Sequence, residues 1–354
     1  MVAEETQFEL FVPGRVCLLG EYADYSGGQR IHNQNIDKGL TIITPIDHGI
    51  YARIKKRNDN NLRVKSTLQT SSFVSSIDPV ANLLERANQN TIFNYIAGTA
   101  YFIANRYEIS GLDIDNYKTT LPIKAGLASS ASICVLTVKA FNEAYNLGID
   151  LEGQMELAYL GETLTFSKCG RMDQACVYPN PVMMTFDGDS IDLEELSVGK
   201  DFHLVLVNLK KGKDTIRILS DVFRVYPFAR TEIERKVHNY LGPLNTRIVL
   251  EARKAIREGD ATLLGKLMNE AQRHFDETIA PLSDELKAPK LHQILSYEPV
   301  QHLMYGGKGV GSQGDGSAQI LATGKEEQQE LIDILQKDYK IDVDCFELNI
   351  KRSA

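Results

Sequence analysis

The segment Pro122-Ile-Lys-Ala-Gly-Leu-Ala-Ser-Ser-Ala-Ser132 joins a glycine and a run of small side chains to the start of an apolar helix pattern. Gly126 permits a tight turn, and small residues at a helix start leave its first backbone amides open. Those amides and the positive end of the helix dipole suit a phosphate group. A serine hydroxyl there also suits a magnesium ion bridging phosphates. The same residues equally describe an ordinary serine-capped helix, so this segment alone leaves both readings open. No GxxxxGK[ST] run occurs, which excludes a Walker-type loop.

Two further segments carry chemistry. In Val12-Pro-Gly-Arg-Val-Cys-Leu-Leu-Gly-Glu-Tyr-Ala-Asp-Tyr-Ser-Gly-Gly28, a short strand at 16–19 ends in Gly20 and releases Glu21, Tyr22, Asp24 and Tyr25 into a loop. Carboxylates beside hydroxyl-bearing side chains suit recognition of a polyhydroxylated ligand; a solvated acidic turn is the plainer alternative. In Tyr305-Gly-Gly-Lys-Gly-Val-Gly-Ser-Gln-Gly-Asp-Gly-Ser317, repeated glycines imply a loop that approaches a ligand closely, or simply a tightly turned connection.

The surrounding elements mix strands and helices without the steady alternation of a doubly wound sheet. Residues 41–46, 49–54, 203–209, 318–322 and 343–350 read as strands. Residues 129–147, 151–167 and 326–338 read as helices. The stretch 222–277 reads as almost wholly helical, broken at Gly242-Pro243 and Gly259-Asp260. The 354 residues suit two packed lobes, divided on this reading into 1–199 and 200–354. Five scattered cysteines without a CxxC pair argue against a zinc site or disulfide framework and fit a reducing cytoplasm. No run of apolar residues reaches spanning length, so no membrane partner is expected. A net charge of −8 disfavours general nucleic-acid binding, so any phosphate must be held locally. The oligomeric state is left open.

Taken in order, the three segments resemble the signature motifs of the GHMP kinases. Pro13-Gly-Arg-Val-Cys-Leu-Leu-Gly-Glu-Tyr-Ala-Asp-Tyr25 is similar to the PGRxxLxGEHxDY segment of the galactokinase branch, and Ala23-Asp-Tyr-Ser-Gly27 to the arabinokinase version. Gly126-Leu-Ala-Ser-Ser-Ala-Ser132 resembles the family's phosphate loop, and Cys169-Gly-Arg-Met-Asp-Gln174 its CGxMDQ segment. Leu264-Gly-Lys-Leu-Met268 is similar to a C-terminal helical segment, with Ala271-Gln272 where the family has Ser-His. The resemblance runs from about Phe11 to near the C-terminus.

It implies an α+β, two-lobed GHMP kinase fold with a left-handed βαβ unit near the phosphate loop. It implies ATP as co-substrate, Mg2+, and phosphorylation of a monosaccharide hydroxyl, the anomeric one by likeness to galactokinases. Asp173 would be the catalytic carboxylate, with Arg15 beside it; Ser130 and Glu162 would hold the metal. Glu21, Asp24 and Tyr25 would line the sugar pocket; Tyr22, where galactokinases carry histidine, and Arg30, where they carry an apolar stretch, depart from the pattern and are read from their own polar groups as further sugar contacts. Lys124, Gly126, Leu127, Ala128, Ser129, Ser130, Ala131, Ser132 and Gly311 would contact ATP. Arg30 has two readings: a guanidinium gripping the carboxylate of an acidic sugar, or one facing solvent or an acidic neighbour. Asp315, close to ATP phosphates, would repel them unless it points away or joins the metal's shell. The alternatives to a sugar kinase are a catalytically weak galactokinase-like sensor and a GHMP kinase for a non-sugar alcohol.

Overall fold

Apolar and β-branched residues run almost unbroken from Gly39, and the computed structural model folds Gly39–Lys56 as one long strand. Two strands were expected there; Asp47 and His48 do not interrupt the extended backbone. The structure describes residues 7–67, 69–89, 91–121, 126–167, 169–340 and 342–353. Contacts divide the chain into two compact units, each made of two stretches: Met1–Arg15 with Asp47–Pro179, and Val16–Ile46 with Asn180–Ala354.

In the first unit the strand order is Gln69–Ser76, Asn61–Ser66, Leu112–Thr119, then the 50–56 part of the long strand. Asn61–Ser66 and Leu112–Thr119 are parallel, with Leu62 opposite Leu112 and Ser66 opposite Asn116. A parallel pair requires a crossover, which here contains helices Ala81–Ala87 and Phe93–Ala104. Helices Ser129–Tyr145 and Leu151–Thr163 follow. Leu151–Thr163 packs unusually close to Phe93–Ala104. A Cβ on Gly161 would lie 2.3 Å from Thr99 Oγ1, and one on Gly98 would lie 2.4 Å from the Gly161 carbonyl oxygen. Glycine alone allows this approach. It fixes the neighbouring Glu162 at 1% exposure.

The second unit holds an antiparallel sheet in the order Asp344–Ile350, Phe202–Asn208, Ser317–Ala322, Met304–Gly309. Val205 and Val207 of its second strand and Ile320 of its third pack with Leu291 and Ile294 of helix Pro289–Leu295 and Leu331 and Leu335 of helix Lys325–Tyr339. The 39–43 part of the long strand pairs with Val182–Asp187, which pairs in turn with Ser190–Glu195. The helical region divides where its glycines predict. Gly242 leaves helical geometry at φ −106 and ψ −105, and Gly259, at φ 73, ends Asn245–Glu258. Asp260 then accepts the Leu263 amide and starts Ala261–Thr278. An unexpected break around Pro227 separates Thr215–Phe223 from Glu232–Asn239. Among the described residues no helix is long and apolar enough to cross a membrane.

Candidate active site

In the first unit, helix Ser129–Tyr145 begins at Ala128, which is left-handed at φ 58 and supplies no side-chain cap. Its opening amides are therefore not closed by the helix's own cap residue, as an anion site requires. Ser129 and Ser130 are half-buried there, whereas Leu127 and Ala131 are buried. Ser132 turns inward: its hydroxyl lies 2.9 Å from the Pro13 carbonyl oxygen and 3.0 Å from that of Ala128. Lys124 lies outside the described residues.

Arg15 reaches this loop from the strand Gln7–Leu19. Its Nη1 donates to the Gly126 carbonyl at 2.6 Å, while Nε and Nη2 donate to Asp173 Oδ1 at 3.1 and 2.5 Å. One guanidinium thus joins the glycine of the loop to the aspartate 158 residues along the chain. Asp173 begins a 3-10 turn and keeps 23% of its side chain exposed, against 7% for Arg15.

Glu162 is held by hydrogen bonds from Gln174 Nε2 at 2.8 Å and Ser167 Oγ at 3.1 Å. Burial, and then the Asp173 charge, push its pKa up, while hydrogen bonds from Ser130, Gln174 and Ser167 oppose the shift. A buried carboxylate beside a second carboxylate gains from a cation. A Glu162 carboxylate and Ser130 hydroxyl form the sparse oxygen set that suits a magnesium ion completed by phosphates. Among the described residues no cluster of three or more His, Cys, Asp or Glu residues offers a richer metal site.

The second unit carries the acidic turn. Gly20, at φ +94, cannot be replaced without collision, since a Cβ would lie 2.2 Å from the Leu40 carbonyl oxygen. Instead of an open loop the chain then forms the short helix Ala23–Gly28, entered through a left-handed Tyr22 at φ 66. Glu21 forms a buried ion pair with Lys308, whose ammonium also donates to the Gly309 carbonyl at 2.9 Å. Tyr22 donates its hydroxyl to the Ser312 carbonyl at 2.9 Å, and its ring lies 6.1 Å from Phe275 in a stacked arrangement. Burial and Glu21 push the Tyr22 pKa strongly up. Asp24 is buried and accepts the Tyr25 amide at 3.0 Å; Tyr25 is half-buried against Phe223.

Arg30 donates through Nε to Asp187 at 2.6 Å and through Nη1 to the carbonyls of Gln34 and Ile36. Its geometry is that of the acidic-neighbour reading, and gripping a sugar carboxylate would mean giving up these bonds. The glycine-rich segment is half strand: Met304–Gly309 pairs in the sheet, and the turn proper is 310–316. A Cβ on Gly306 would lie 2.1 Å from the Gly265 carbonyl oxygen, so this glycine serves helix packing. Gly311, at φ 60, stands in open space. Asp315 points inward, accepting Lys211 Nζ and the Leu291 amide, each at 3.0 Å. Gln272, in the Ser-His position, accepts the Gly309 amide at 2.7 Å and donates to Asp276 at 2.8 Å.

Sequence reasoning missed Lys308, Gln174 and Ser167. Lys308 had one available signal: a single long cation inside a glycine run, where a solvated residue gives no reason for such surroundings.

Residues 94–180 match the family model described as the GHMP kinases N terminal domain. The galactokinase of Clostridium beijerinckii is 27% identical over 77% of this chain and 75% of its own length. That of Pyrococcus furiosus is 25% identical over 92% of each. Among solved structures, Lactococcus lactis galactokinase complexed with galactose superposes with a TM-score of 0.75 at 18% identity, covering 98% of this chain and 94% of its own. Methanococcus jannaschii mevalonate kinase gives 0.74 at 21% identity, covering 99% and 100%. The fold is therefore the α+β fold of the small-molecule kinases among these neighbours. Residues 94–180 thus resemble the N-terminal domain of the GHMP kinases, and the chain is similar to galactokinases over most of its length.

Proposed function

We propose that this protein transfers the terminal phosphoryl group of ATP to a hydroxyl of a monosaccharide, the anomeric hydroxyl being the expected acceptor. The observation that carries the reading is the Arg15 bridge between Asp173 and the Gly126 carbonyl of the phosphate loop. It fixes a carboxylate and a cation beside a helix start suited to phosphate. The sugar oxygen attacks the terminal phosphorus, the bond to the bridging ADP oxygen breaks, and the hydroxyl proton passes to Asp173. Arg15 orients Asp173 through two hydrogen bonds to its Oδ1 and offsets charge on the phosphoryl oxygens. The amides of residues 129–131 orient the phosphates. Magnesium held through Glu162 and Ser130 would neutralise phosphate charge. Relatives named galactokinase over most of the chain support a sugar as the acceptor.

The test is ADP release from ATP and magnesium over a panel of monosaccharides, with mevalonate and homoserine as controls. Turnover with at least one sugar is expected. Turnover confined to the non-sugar alcohols would overturn the sugar assignment. Binding of sugar and ATP without ADP release would make the protein a sensor.

A further inference from the structure

Lysines surround the glycine-rich turn, and all but one meet a carboxylate. Lys210 pairs with Asp344 at 2.8 Å, Lys211 with Asp315 at 3.0 Å, and Lys308 with Glu21. Lys213 is the exception. Its ammonium donates to the Gln313 carbonyl at 2.6 Å and weakly to that of Val310 at 3.5 Å, and no carboxylate lies within 4 Å among the described residues. The position is built rather than incidental. Lys213 is half-buried, and a Cβ on Gly316 would come 2.8 Å from its Nζ, so glycine there leaves room for the ammonium. A desolvated cation held only by carbonyl dipoles lacks its natural partner, and its third proton remains for an acceptor. Consistent with this, burial pushes its pKa down to about 8, and Glu21 alone opposes the shift.

The local acids already have partners: Asp214 accepts the Arg217 amide at 3.0 Å and Glu285 the Asp214 amide at 3.2 Å. Glu21 is neutralised by Lys308, and Asp315 by Lys211 and an amide. Glu21 and Tyr22 belong to the proposed sugar turn, and Tyr22 is bonded to Ser312 in the same 310–316 turn as the Lys213 acceptors. Arg30, the other cation considered for this role, is engaged with Asp187.

We propose that the acceptor is an acidic sugar and that Lys213 binds its carboxylate. This rests on the sugar-kinase reading for its chemistry, but its binding test does not. Calorimetry without nucleotide compares galacturonate and glucuronate with galactose and glucose, on the full chain and on Lys213→Met. The uronates are expected to bind the wild type at least ~10-fold tighter than their neutral counterparts. Lys213→Met should lose ~10–100-fold on the uronates, the worth of a charged hydrogen bond, and under ~3-fold on the neutral sugars. Lys213→Arg, which keeps the charge, should recover part of the loss and covers the case in which the methionine variant does not fold. Steady-state kinetics add a second arm. Neutral sugars favoured by the wild type, equal losses on all sugars, or a loss appearing only in the KM for ATP would each overturn the proposal. Uronate-selective binding without any ADP release would leave Lys213 in place and sink the kinase reading instead.

Discussion

Asp173 and Arg15 act through one hydrogen-bonded unit, so their substitutions separate proton acceptance from architecture. Asp173→Asn keeps size and most bonds but removes the basic oxygen; kcat should fall ~10²–10⁴-fold while ATP affinity stays nearly unchanged. Near-normal kcat on the true substrate would exclude Asp173 as the base. Arg15→Ala frees both Asp173 and the Gly126 carbonyl, and should also cripple kcat. Arg15→Lys should recover only part, because an ammonium lacks the planar fork. Glu162 behaves differently. Burial and Asp173 already oppose its ionised form, so Glu162→Gln should leave the Tm of the magnesium-free protein unchanged or higher. The magnesium concentration for half-maximal activity should nevertheless rise ~10–100-fold in Glu162→Gln, and rise also in Ser130→Ala. A lower Tm with unchanged magnesium demand would make Glu162 a purely structural acceptor.

Elements explain what was legible and what was not. The start of helix Ser129–Tyr145 and the breaks at Gly242 and Gly259 follow from local chemistry, in which glycine and proline end regular structure whatever the tertiary context. The meeting of Arg15, Asp173 and Glu162 is not a local property, and only the family's motif order anticipated it. Lys308 escaped because its glycine neighbours hint at burial without naming a partner; the fold sets it opposite Gln319 on the edge strand of the four-stranded sheet and buries its ammonium against Glu21. Asp315 looked like a threat to phosphates because sequence says nothing of direction, and its carboxylate instead closes a bond to the start of helix Pro289–Leu295. At this scale Gly20 is the most sensitive position. Gly20→Ala combines a positive φ with a collision at the Leu40 carbonyl. It should cost ~2 kcal/mol or more in chemical denaturation and weaken sugar binding more than ATP binding. Stability within ~0.5 kcal/mol of wild type would show that the turn adapts.

At the scale of the whole molecule, neither compact unit is a continuous piece of chain, a fact invisible to composition or periodicity. Val16–Ile46 belongs with Asn180–Ala354, and it supplies contacts that nothing downstream can replace. Residues 39–43 pair with Val182–Asp187. The Cys17 carbonyl accepts Gln319 Nε2 at 2.8 Å, and the Leu40 carbonyl accepts Asn245 Nδ2 at 2.8 Å. Glu21 neutralises Lys308, which is 1% exposed. Losing one partner of a buried pair costs ~3–5 kcal/mol, a large share of the ~5–15 kcal/mol that a domain has in total. The fragment 180–354 expressed alone should therefore lack a cooperative unfolding transition and bind a hydrophobic dye such as ANS. Joining Val16–Ile46 to it through a flexible Gly/Ser linker should restore cooperativity. The same joined fragment carrying Glu21→Leu should not recover fully, because Lys308 remains uncompensated. Adding Lys308→Met to it should regain stability, since a buried ion pair can be replaced by well-packed apolar residues at little loss. Cooperative unfolding of 180–354 on its own, with native near-ultraviolet dichroism from its tyrosines, would show that the inserted segment serves the site and not the fold.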